Sequence, residues 1–243
     1  GIMQTGWTDI GKKRYYFDMD GILQTGTVII DKKTYELDTD GSLKDYTPKK
    51  KSSKKKSSGK SDTSDKSGTS TAKKSVALTF DDGPSSFTDR LLDCLEENNA
   101  KATFFMVGTE IASFPDEVKR MKKLGCELGN HTYDHKDLAT LSSDEISSEI
   151  ARVDEQLVNL TGEGASVVRP PYGSVNDTVK STVGTPMILW SIDTLDWKTQ
   201  DVESTVEEVM NNVKDGSIIL MHDIFSTSVD AAEILIPQLI EEG

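Results

Sequence analysis

The sequence of 243 residues has few apolar side chains and only two cysteines. Hydrophobic residues make up 35%, which is low for one compact domain and predicts a polar segment somewhere in the chain. No apolar run reaches the roughly 18 residues that a transmembrane helix needs. The two cysteines, Cys94 and Cys126, each lie in an apolar-patterned segment, which favours buried free thiols over a disulfide.

The sequence also lacks an initiator methionine and a secretion signal. It begins at GIMQTGW, inside a repeat, and we therefore interpret it as a fragment. The net charge of −13 is unevenly distributed: residues 1–74 carry 16 Lys/Arg and 10 Asp/Glu, and residues 75–243 carry 12 and 31. Such an acidic body argues against nucleic acid or an anionic membrane surface as the main partner, although a neutral polysaccharide remains compatible with it.

The N-terminal part contains a repeat of twenty residues, written TGWTDIGKKRYYFDMDGILQ at 5–24 and TGTVIIDKKTYELDTDGSLK at 25–44. D-x-D-G is turn chemistry, with Gly21 and Gly41 at positive φ, so each unit is predicted to be a small β-hairpin. The units resemble the choline-binding or glucan-binding repeats of Gram-positive cell-wall proteins. In the second unit Thr27 replaces Trp7, and an aromatic cage for a quaternary ammonium needs several rings. A ligand site and a degenerate spacer both fit residues 1–44.

Residues 45–74 are rich in Lys, Ser, Thr and Gly and contain almost nothing apolar. A segment of this composition cannot recover its ordering entropy, so it is predicted to be a disordered linker. A Lys-rich stretch can also contact an anionic wall polymer, but a solvated tether is the simpler interpretation.

From residue 75 onward, short apolar runs alternate with amphipathic segments. The runs are VALTF, ATFFMV, SVVRP, MILWSI and SIILM. Strands that alternate with helices predict βαβ units and a parallel sheet, so residues 75–243 are assigned to one α/β domain. In such folds the chemistry lies in the loops at the carboxyl ends of the strands.

Polar residues follow these runs and the segment CELGN (126–130), and the three histidines of the chain are all among them. The positions are Asp81, Asp82, His131, His135, Arg169, Tyr172, Asp193, Asp196, Trp197, His222 and Asp223. Two histidines four positions apart lie on one side of a helical turn. Catalytic zinc takes three protein ligands, and the adjacent carboxylates that follow VALTF offer the third. Taken alone, the histidine pair fits a surface pair and D-D-G-P fits a turn; together they favour a metal site.

The motifs LTFDDGP (78–84), HTYDH (131–135), RPPYG (169–173), WSIDTLDW (190–197) and LMH (220–222) resemble the five motifs of the NodB-homology polysaccharide deacetylases, carbohydrate esterase family 4. The resemblance covers residues 75–243. It implies a distorted (β/α)7 barrel and hydrolysis of N-acetyl or O-acetyl groups on a polysaccharide. The family continues into one more strand after Gly243, so we expect the domain to be truncated there.

The resemblance implies that Asp82, His131 and His135 bind a divalent metal ion. Zinc is the expected ion, with cobalt and manganese as alternatives. It also implies that Asp81 is the general base and that Arg169 orients it.

The remaining motif positions imply a general acid and a binding pocket. His222 matches the acid, and Asp193 is the expected carboxylate behind it, although the D-T-L-D run offers a second one. Tyr172 matches the residue whose backbone N–H binds the oxyanion. Trp197 and Leu220 match the walls of the acetyl pocket.

The predicted function is therefore metal-dependent N-deacetylation of N-acetylglucosamine, with peptidoglycan as the expected polymer because of the wall-type repeats. An O-deacetylase of acetylxylan and a chitin-oligosaccharide deacetylase are alternatives within the enzymes. A non-catalytic wall-binding protein is the alternative of another class. The repeats predict an extracellular, wall-associated protein of Gram-positive type that contacts a wall polymer or choline.

Overall fold

The structure is a computed structural model that describes residues 6–10, 13–17, 23–30, 33–39, 41–44 and 74–243. The chain divides into two compact units, residues 2–71 and residues 72–243. The predicted linker lies outside the described residues except for its last position, so its disorder stays a prediction. In the part of the chain that the structure describes, no helix is long and apolar enough to cross a membrane.

The first unit contains two antiparallel hairpins, one for each repeat. Strands β1 (Gly6–Ile10) and β2 (Lys13–Phe17) form one, and β3 (Gly26–Ile30) and β4 (Lys33–Leu37) form the other. One hairpin per repeat is present, as predicted, but in the second unit D-x-D-G follows β4 and does not join the two strands. Gly41 has the expected positive φ of 80°, whereas Gly21 lies outside the described residues.

The second unit is built on a parallel sheet with the order β8-β7-β6-β5-β10-β9. Its strands are β5 (Ala77–Asp81), β6 (Thr103–Met106), β7 (Glu127–Asn130), β8 (Val167–Val168), β9 (Ile192–Asp193) and β10 (Ile218–His222). The central strands are buried on both faces, as expected for a parallel sheet covered by helices.

Helices connect the strands and cover the sheet. They are α1 (Thr88–Glu97), α2 (Gly108–Ile111), α3 (Pro115–Leu124), α4 (Ser143–Thr161), α5 (Asp177–Thr182), α6 (Asp196–Thr199), α7 (Val202–Asn212) and α8 (Ser226–Glu241), with 3-10 turns at Leu138–Thr140 and Pro171–Gly173. The longest helix, α4, begins at a capping box: Ser142 accepts from the Glu145 N–H, and the Glu145 side chain accepts from the Ser142 N–H.

The core lies between the sheet and the helices. Fully buried members include Phe80 of β5, Phe104 of β6, Leu92 of α1 and Leu235 of α8. Cys94 and Cys126 are buried free thiols, as predicted. Burial raises the pKa of both thiols, which keeps them protonated and unreactive.

One segment, residues 186–193, links the two edges of the sheet. Met187 forms a parallel bridge to Val168 of β8 at one edge, and Ile192 pairs with Ile219 of β10 at the other. The backbone of Val168 also donates to the Pro186 carbonyl at 2.9 Å. The segment therefore closes the sheet on itself, and the strand ends converge on one mouth.

Candidate active site

The site lies where the parallel strands end. Asp81 is the last residue of β5 and pairs in register with His222, the last residue of β10. His131 follows β7 directly, and Arg169 follows β8 directly. The predicted gathering of these side chains at one edge of the sheet is what the structure shows.

Asp82, His131 and His135 form a cluster that can hold one metal ion, because one donor atom from each lies within 4.8 Å of the others. The Asp82 Oδ1 atom is 3.2 Å from His135 Nε2 and 3.5 Å from His131 Nε2. This oxygen is buried and has no hydrogen-bond partner among the described residues. An orphaned carboxylate oxygen that faces two imidazole nitrogens fits a divalent ion of the zinc type.

The backbone fixes the form of His131. Its Nδ1 lies 2.6 Å from the Arg169 carbonyl oxygen, which can only accept, so Nδ1 carries the proton and donates. The Nε2 lone pair then faces Asp82. Burial lowers the pKa of His131 to about 3, against the opposing charge of Asp82, and the ring is neutral at physiological pH. Neutral imidazole is the form that binds metal.

Asp81 stands beside this cluster with a different partner. Its Oδ1 accepts from Arg169 Nη1 at 2.6 Å, while its Oδ2 lies 3.6 Å from His131 Nε2 and faces the cluster. Burial raises the pKa of Asp81 to about 6, although the Arg169 charge and hydrogen bond act to lower it. The carboxylate is therefore ionised at neutral pH but basic enough to accept a proton.

Arg169 is fully buried, with 0% of its surface exposed, and every part of its guanidinium is held. Nη1 also donates to Thr79 Oγ1 at 2.7 Å, Nε donates to the Ile188 carbonyl at 3.1 Å, and Nη2 donates to the Leu189 carbonyl at 3.0 Å. The guanidinium carbon lies 4.0 Å from the Phe105 ring centroid. A charge this enclosed is stable only when it is paired, and it fixes Asp81 in one orientation.

His222 is held by Asp196, and the prediction of Asp193 for this role is wrong. His222 Nδ1 lies 2.8 Å from Asp196 Oδ1, and the His222 N–H donates to Asp196 Oδ2 at 2.8 Å. The Asp193 carboxylate instead accepts from the Leu195 N–H at 3.0 Å. The chain turns at Leu195, where φ is 56°, and this turn brings the second carboxylate of D-T-L-D behind the imidazole.

The His222–Asp196 pair sets the charge of the imidazole. Burial alone would lower the pKa of His222, but the hydrogen bond and charge of Asp196, with smaller contributions from Asp81 and Asp82, raise it to about 8. Burial likewise acts to raise the pKa of Asp196, but the bonds to His222 hold it below its usual value. His222 is therefore protonated at neutral pH, and its Nε2 lies 4.0 Å from Asp82 Oδ2.

The three predicted pocket residues lie around this mouth in different settings. Tyr172 is 70% exposed, has a positive φ of 62°, and its ring packs edge-on against His135 with centroids 5.0 Å apart. Trp197 is half exposed, and its backbone N–H donates to Asp196 Oδ1. Leu220 is buried on β10, where the strand alternation turns it away from the core cluster that holds Ile219.

Comparison with known proteins agrees with this geometry. Residues 68–185 match the polysaccharide deacetylase family model, and residues 4–44 match the choline-binding repeat model. The chain is 40% identical over 172 residues to the peptidoglycan-N-acetylmuramic acid deacetylase PdaC of Bacillus subtilis, covering 70% of this chain and 37% of that protein. It is 42% identical over 179 residues to a peptidoglycan-N-acetylglucosamine deacetylase of Bacillus cereus, covering 70% of this chain and 65% of that one.

Solved structures show the same likeness. The structure of PdaC matches with a TM-score of 0.69 at 40% identity, covering 70% of this chain and 85% of that chain. A CE4 family pseudoenzyme from Bacillus anthracis matches with a TM-score of 0.66 at 31% identity, covering 70% of this chain and 62% of that one. The chain belongs to the polysaccharide deacetylase family.

Membership in the polysaccharide deacetylase family confirms the predicted fold class, an α/β fold of the distorted (β/α)7-barrel type. The match to the choline-binding repeat model agrees with the repeat family recognised in the sequence. The chain spans 37% of the length of the first curated relatives that it matches.

Two further buried residues support the site: Thr79, which the sequence analysis does not name, and Asp223, which it names at a strand end without a role. Thr79 donates to the Ile219 carbonyl at 2.7 Å while it accepts from Arg169, so it joins β5, β10 and the guanidinium. Asp223 accepts from Thr88 Oγ1 at 2.5 Å beneath the D-D-G-P loop, and burial raises its pKa to about 7. Asp223 follows β10 directly, and this position indicates a site residue. Nothing in the sequence distinguishes Thr79 from an ordinary residue of β5.

Proposed function

We propose that this chain is a metal-dependent deacetylase that hydrolyses the N-acetyl groups of amino sugars in peptidoglycan. The observation that carries the proposal is the convergence of Asp82, His131 and His135, with the Asp81 carboxylate next to them and its Oδ2 free of Arg169. Each group therefore has a distinct chemical task available to it.

Asp82, His131 and His135 would hold a divalent ion, with zinc as our first choice and cobalt or manganese as alternatives. When bound, such an ion polarises the acetamide carbonyl and lowers the pKa of a neighbouring water. The orphaned Asp82 Oδ1 and the neutral His131 ring are the features that support this assignment.

Asp81 accepts the proton of the attacking water at Oδ2, as the water oxygen forms a bond to the acetamide carbon. Its other oxygen stays with Arg169, so the carboxylate does not rotate away during the step. The raised pKa of Asp81, about 6, makes it a better base than an ordinary aspartate and leaves it ionised at neutral pH.

His222 donates its Nε2 proton to the sugar nitrogen as the C–N bond breaks. Asp196 accepts from Nδ1 and keeps Nε2 directed into the mouth. Acetate and a free amino sugar result. The acetic acid that forms ionises to acetate. Asp81 then releases the proton it took from the water and His222 regains a proton from solvent, so both groups return to their starting states.

The proposed donor to the oxyanion is the Tyr172 N–H. The proposed walls of the acetyl pocket are Trp197 and Leu220. The contact between the Tyr172 and His135 rings supports a position for Tyr172 next to the proposed metal cluster, from which its N–H could face the carbonyl oxygen. Preformed donors of this kind stabilise the charge that develops on the oxygen.

N-acetylglucosamine is our first choice of substrate sugar. The Bacillus cereus relative is named for that sugar and the Bacillus subtilis relative for N-acetylmuramic acid, at 42% and 40% identity. The repeats favour a wall polymer over acetylxylan or chitin and support an extracellular, wall-associated location, with a wall polymer or choline as their ligand.

Acetate release from purified peptidoglycan tests the proposal. We expect release that a chelator abolishes and added zinc restores, and less release from acetylxylan and chitin oligomers. Mass spectrometry of the disaccharides that a muramidase releases shows whether the acetyl group was lost from glucosamine or from muramic acid. Full activity in chelator would eliminate the metal role, and release from acetylxylan alone would make the chain an O-deacetylase.

A wall-binding protein without catalysis is the second candidate, and the likeness to a pseudoenzyme is the observation that favours it. The convergence of Asp82, His131 and His135, with Asp81 beside them and His222 held by Asp196, supports the enzyme instead. Binding to cell walls without acetate release, with zinc, cobalt or manganese supplied, would support the second candidate instead.

A further inference from the structure

The loop between the two histidines of the metal cluster rests on a buried carboxylate of α4. Glu149 is 4% exposed, and its Oε2 accepts from the Tyr133 N–H at 2.9 Å and the Asp134 N–H at 2.8 Å. Its other oxygen accepts from Lys136 Nζ at 3.0 Å. A carboxylate is seldom buried unless its charge is satisfied, and here two of its partners are backbone groups of residues 132–135.

This loop needs support because its backbone is unusual. Thr132 has a φ of 68° and His135 a φ of 53°, both in the left-handed region that non-glycine residues rarely adopt. The Asn130 side chain accepts from the Thr132 N–H at 2.9 Å and donates to the Ile150 carbonyl at 2.9 Å. Three successive N–H groups of the loop are therefore held by side chains, and α4 anchors each of them directly or through Asn130.

His131 and His135 depend on this support to different degrees. His131 follows β7 directly, its N–H donates to the Met106 carbonyl, and its ring is fixed by the Arg169 carbonyl. His135 is four residues further along the loop, and its ring contacts are with Asp82, His131 and the exposed Tyr172. Loss of the bonds made by Glu149 would therefore move His135 first.

We propose that Glu149 is a positioning residue for the metal cluster: it fixes the loop so that His135 presents Nε2 to the same ion as His131 and Asp82. The inference rests on the metal centre of the proposed function but not on the substrate or the reaction. Groups that orient metal ligands commonly contribute about 10–100-fold to metal affinity, and we expect an effect of that size here.

The test is the zinc affinity of the full chain after removal of metal, measured by competition with a chromogenic chelator. Glu149→Met removes both acceptors at similar volume and should raise the dissociation constant for zinc about 10–100-fold. Glu155→Met is the matched control, because Glu155 is exposed on the same helix, and it should bind zinc as the wild type does. The visible spectrum of the cobalt form should change in Glu149→Met alone.

Lys136→Met separates the backbone bonds from the ion pair. It leaves both N–H bonds to Glu149 in place, so its zinc affinity should stay within a few-fold of wild type. If Glu149→Met does not fold, Glu149→Gln decides, because a neutral acceptor bonds more weakly than a charged one and should cost about tenfold in affinity.

The outcomes distinguish this proposal from the proposed function. Wild-type zinc affinity in folded Glu149→Met, or equal losses in Glu149→Met and Glu155→Met, would overturn the positioning role and leave the metal centre standing. A wild-type chain that binds no zinc would overturn the metal centre and this inference together.

Discussion

Two adjacent carboxylates of the same residue type acquire different chemistry from their partners. Asp81 is buried against Arg169, whereas Asp82 has a positive φ of 72° that turns it towards His131 and His135. The turn between them is what separates the proposed base from the proposed metal ligand. Without it, both carboxylates would compete for the same guanidinium or the same ion.

This separation predicts different results for two conservative variants. Asp81→Asn should lower the rate of acetate release by about 10²–10⁴-fold and leave zinc affinity near that of the wild type, because only the base is lost. Asp82→Asn should lose zinc affinity as well. Zinc titration and initial rates measured on both variants check this. A wild-type rate in Asp81→Asn would refute its role as base.

The charge of His222 depends chiefly on Asp196, which makes the alkaline side of the pH profile a test of that residue. A general acid must be protonated, so activity should decline as pH rises through the His222 pKa of about 8. Asp196→Asn removes the hydrogen bond to a negative charge that raises this pKa. The decline should then begin at lower pH, and the rate at neutral pH should fall.

Asp193→Asn is the matched control, since Asp193 lies three positions away. The one hydrogen bond described for its side chain is with the Leu195 N–H. Initial rates across pH for both variants and wild type provide the measurement. A shift in Asp193→Asn with none in Asp196→Asn would reverse the assignment that the geometry makes.

At the scale of elements, the loops after the strands carry the proposed metal ligands, and the D-D-G-P loop is closely packed at Gly83. The D-D-G-P loop joins β5 to α1 and lies directly over the Asp223 side chain. A Cβ on Gly83 would stand 2.1 Å from Asp223 Oδ1, closer than any real contact. Glycine is required here by the close approach of a side chain, because Gly83 has no positive φ.

Gly83→Ala should therefore displace the loop that carries Asp82. We expect loss of zinc affinity and of acetate release, with a lower thermal unfolding temperature. Gly184→Ala is the control, since a Cβ at Gly184 meets nothing within 4 Å. Zinc titration and thermal unfolding of both variants test this, and normal zinc affinity in Gly83→Ala would show that the loop can shift without moving Asp82.

The sequence predicted the elements and most of the site because both depend on local signals. Apolar runs predicted the strands of the parallel sheet except β7, and polar residues at the strand ends predicted Asp81, His131 and His222 as site residues. Asp193 was chosen wrongly because D-T-L-D places two carboxylates three positions apart, and only the left-handed turn at Leu195 decides between them. Local sequence carries no strong signal for that turn, because leucine rarely adopts it.

At the scale of the whole molecule, one side chain, Arg169, contributes both to the closure of the sheet and to the proposed active site. Arg169 reaches from the end of β8 to Asp81 and Thr79 of β5, and also to the carbonyls of Ile188 and Leu189 in the closing segment. These partners are up to 90 residues distant in sequence. Motif resemblance found the pairing with Asp81, but no periodicity predicts the two carbonyl bonds.

Arg169→Met should consequently destabilise the fold as well as abolish activity. The change leaves Asp81 as a buried charge without its partner, which typically costs about 3–5 kcal/mol. Arg120→Met is the control, because Arg120 makes its ion pairs to Asp89, Asp93 and Glu96 at the surface, where such pairs contribute about 0–1 kcal/mol each.

Chemical denaturation of both variants in chelator, so that bound metal does not contribute, gives the free energy of unfolding. The double variant Arg169→Met/Asp81→Asn removes the unpaired charge, so it should be destabilised by less than the sum of the two single variants. Equal losses in Arg169→Met and Arg120→Met would show that Arg169 does not hold the barrel closed. Additive losses in the double variant would show that Arg169 does not stabilise the Asp81 carboxylate.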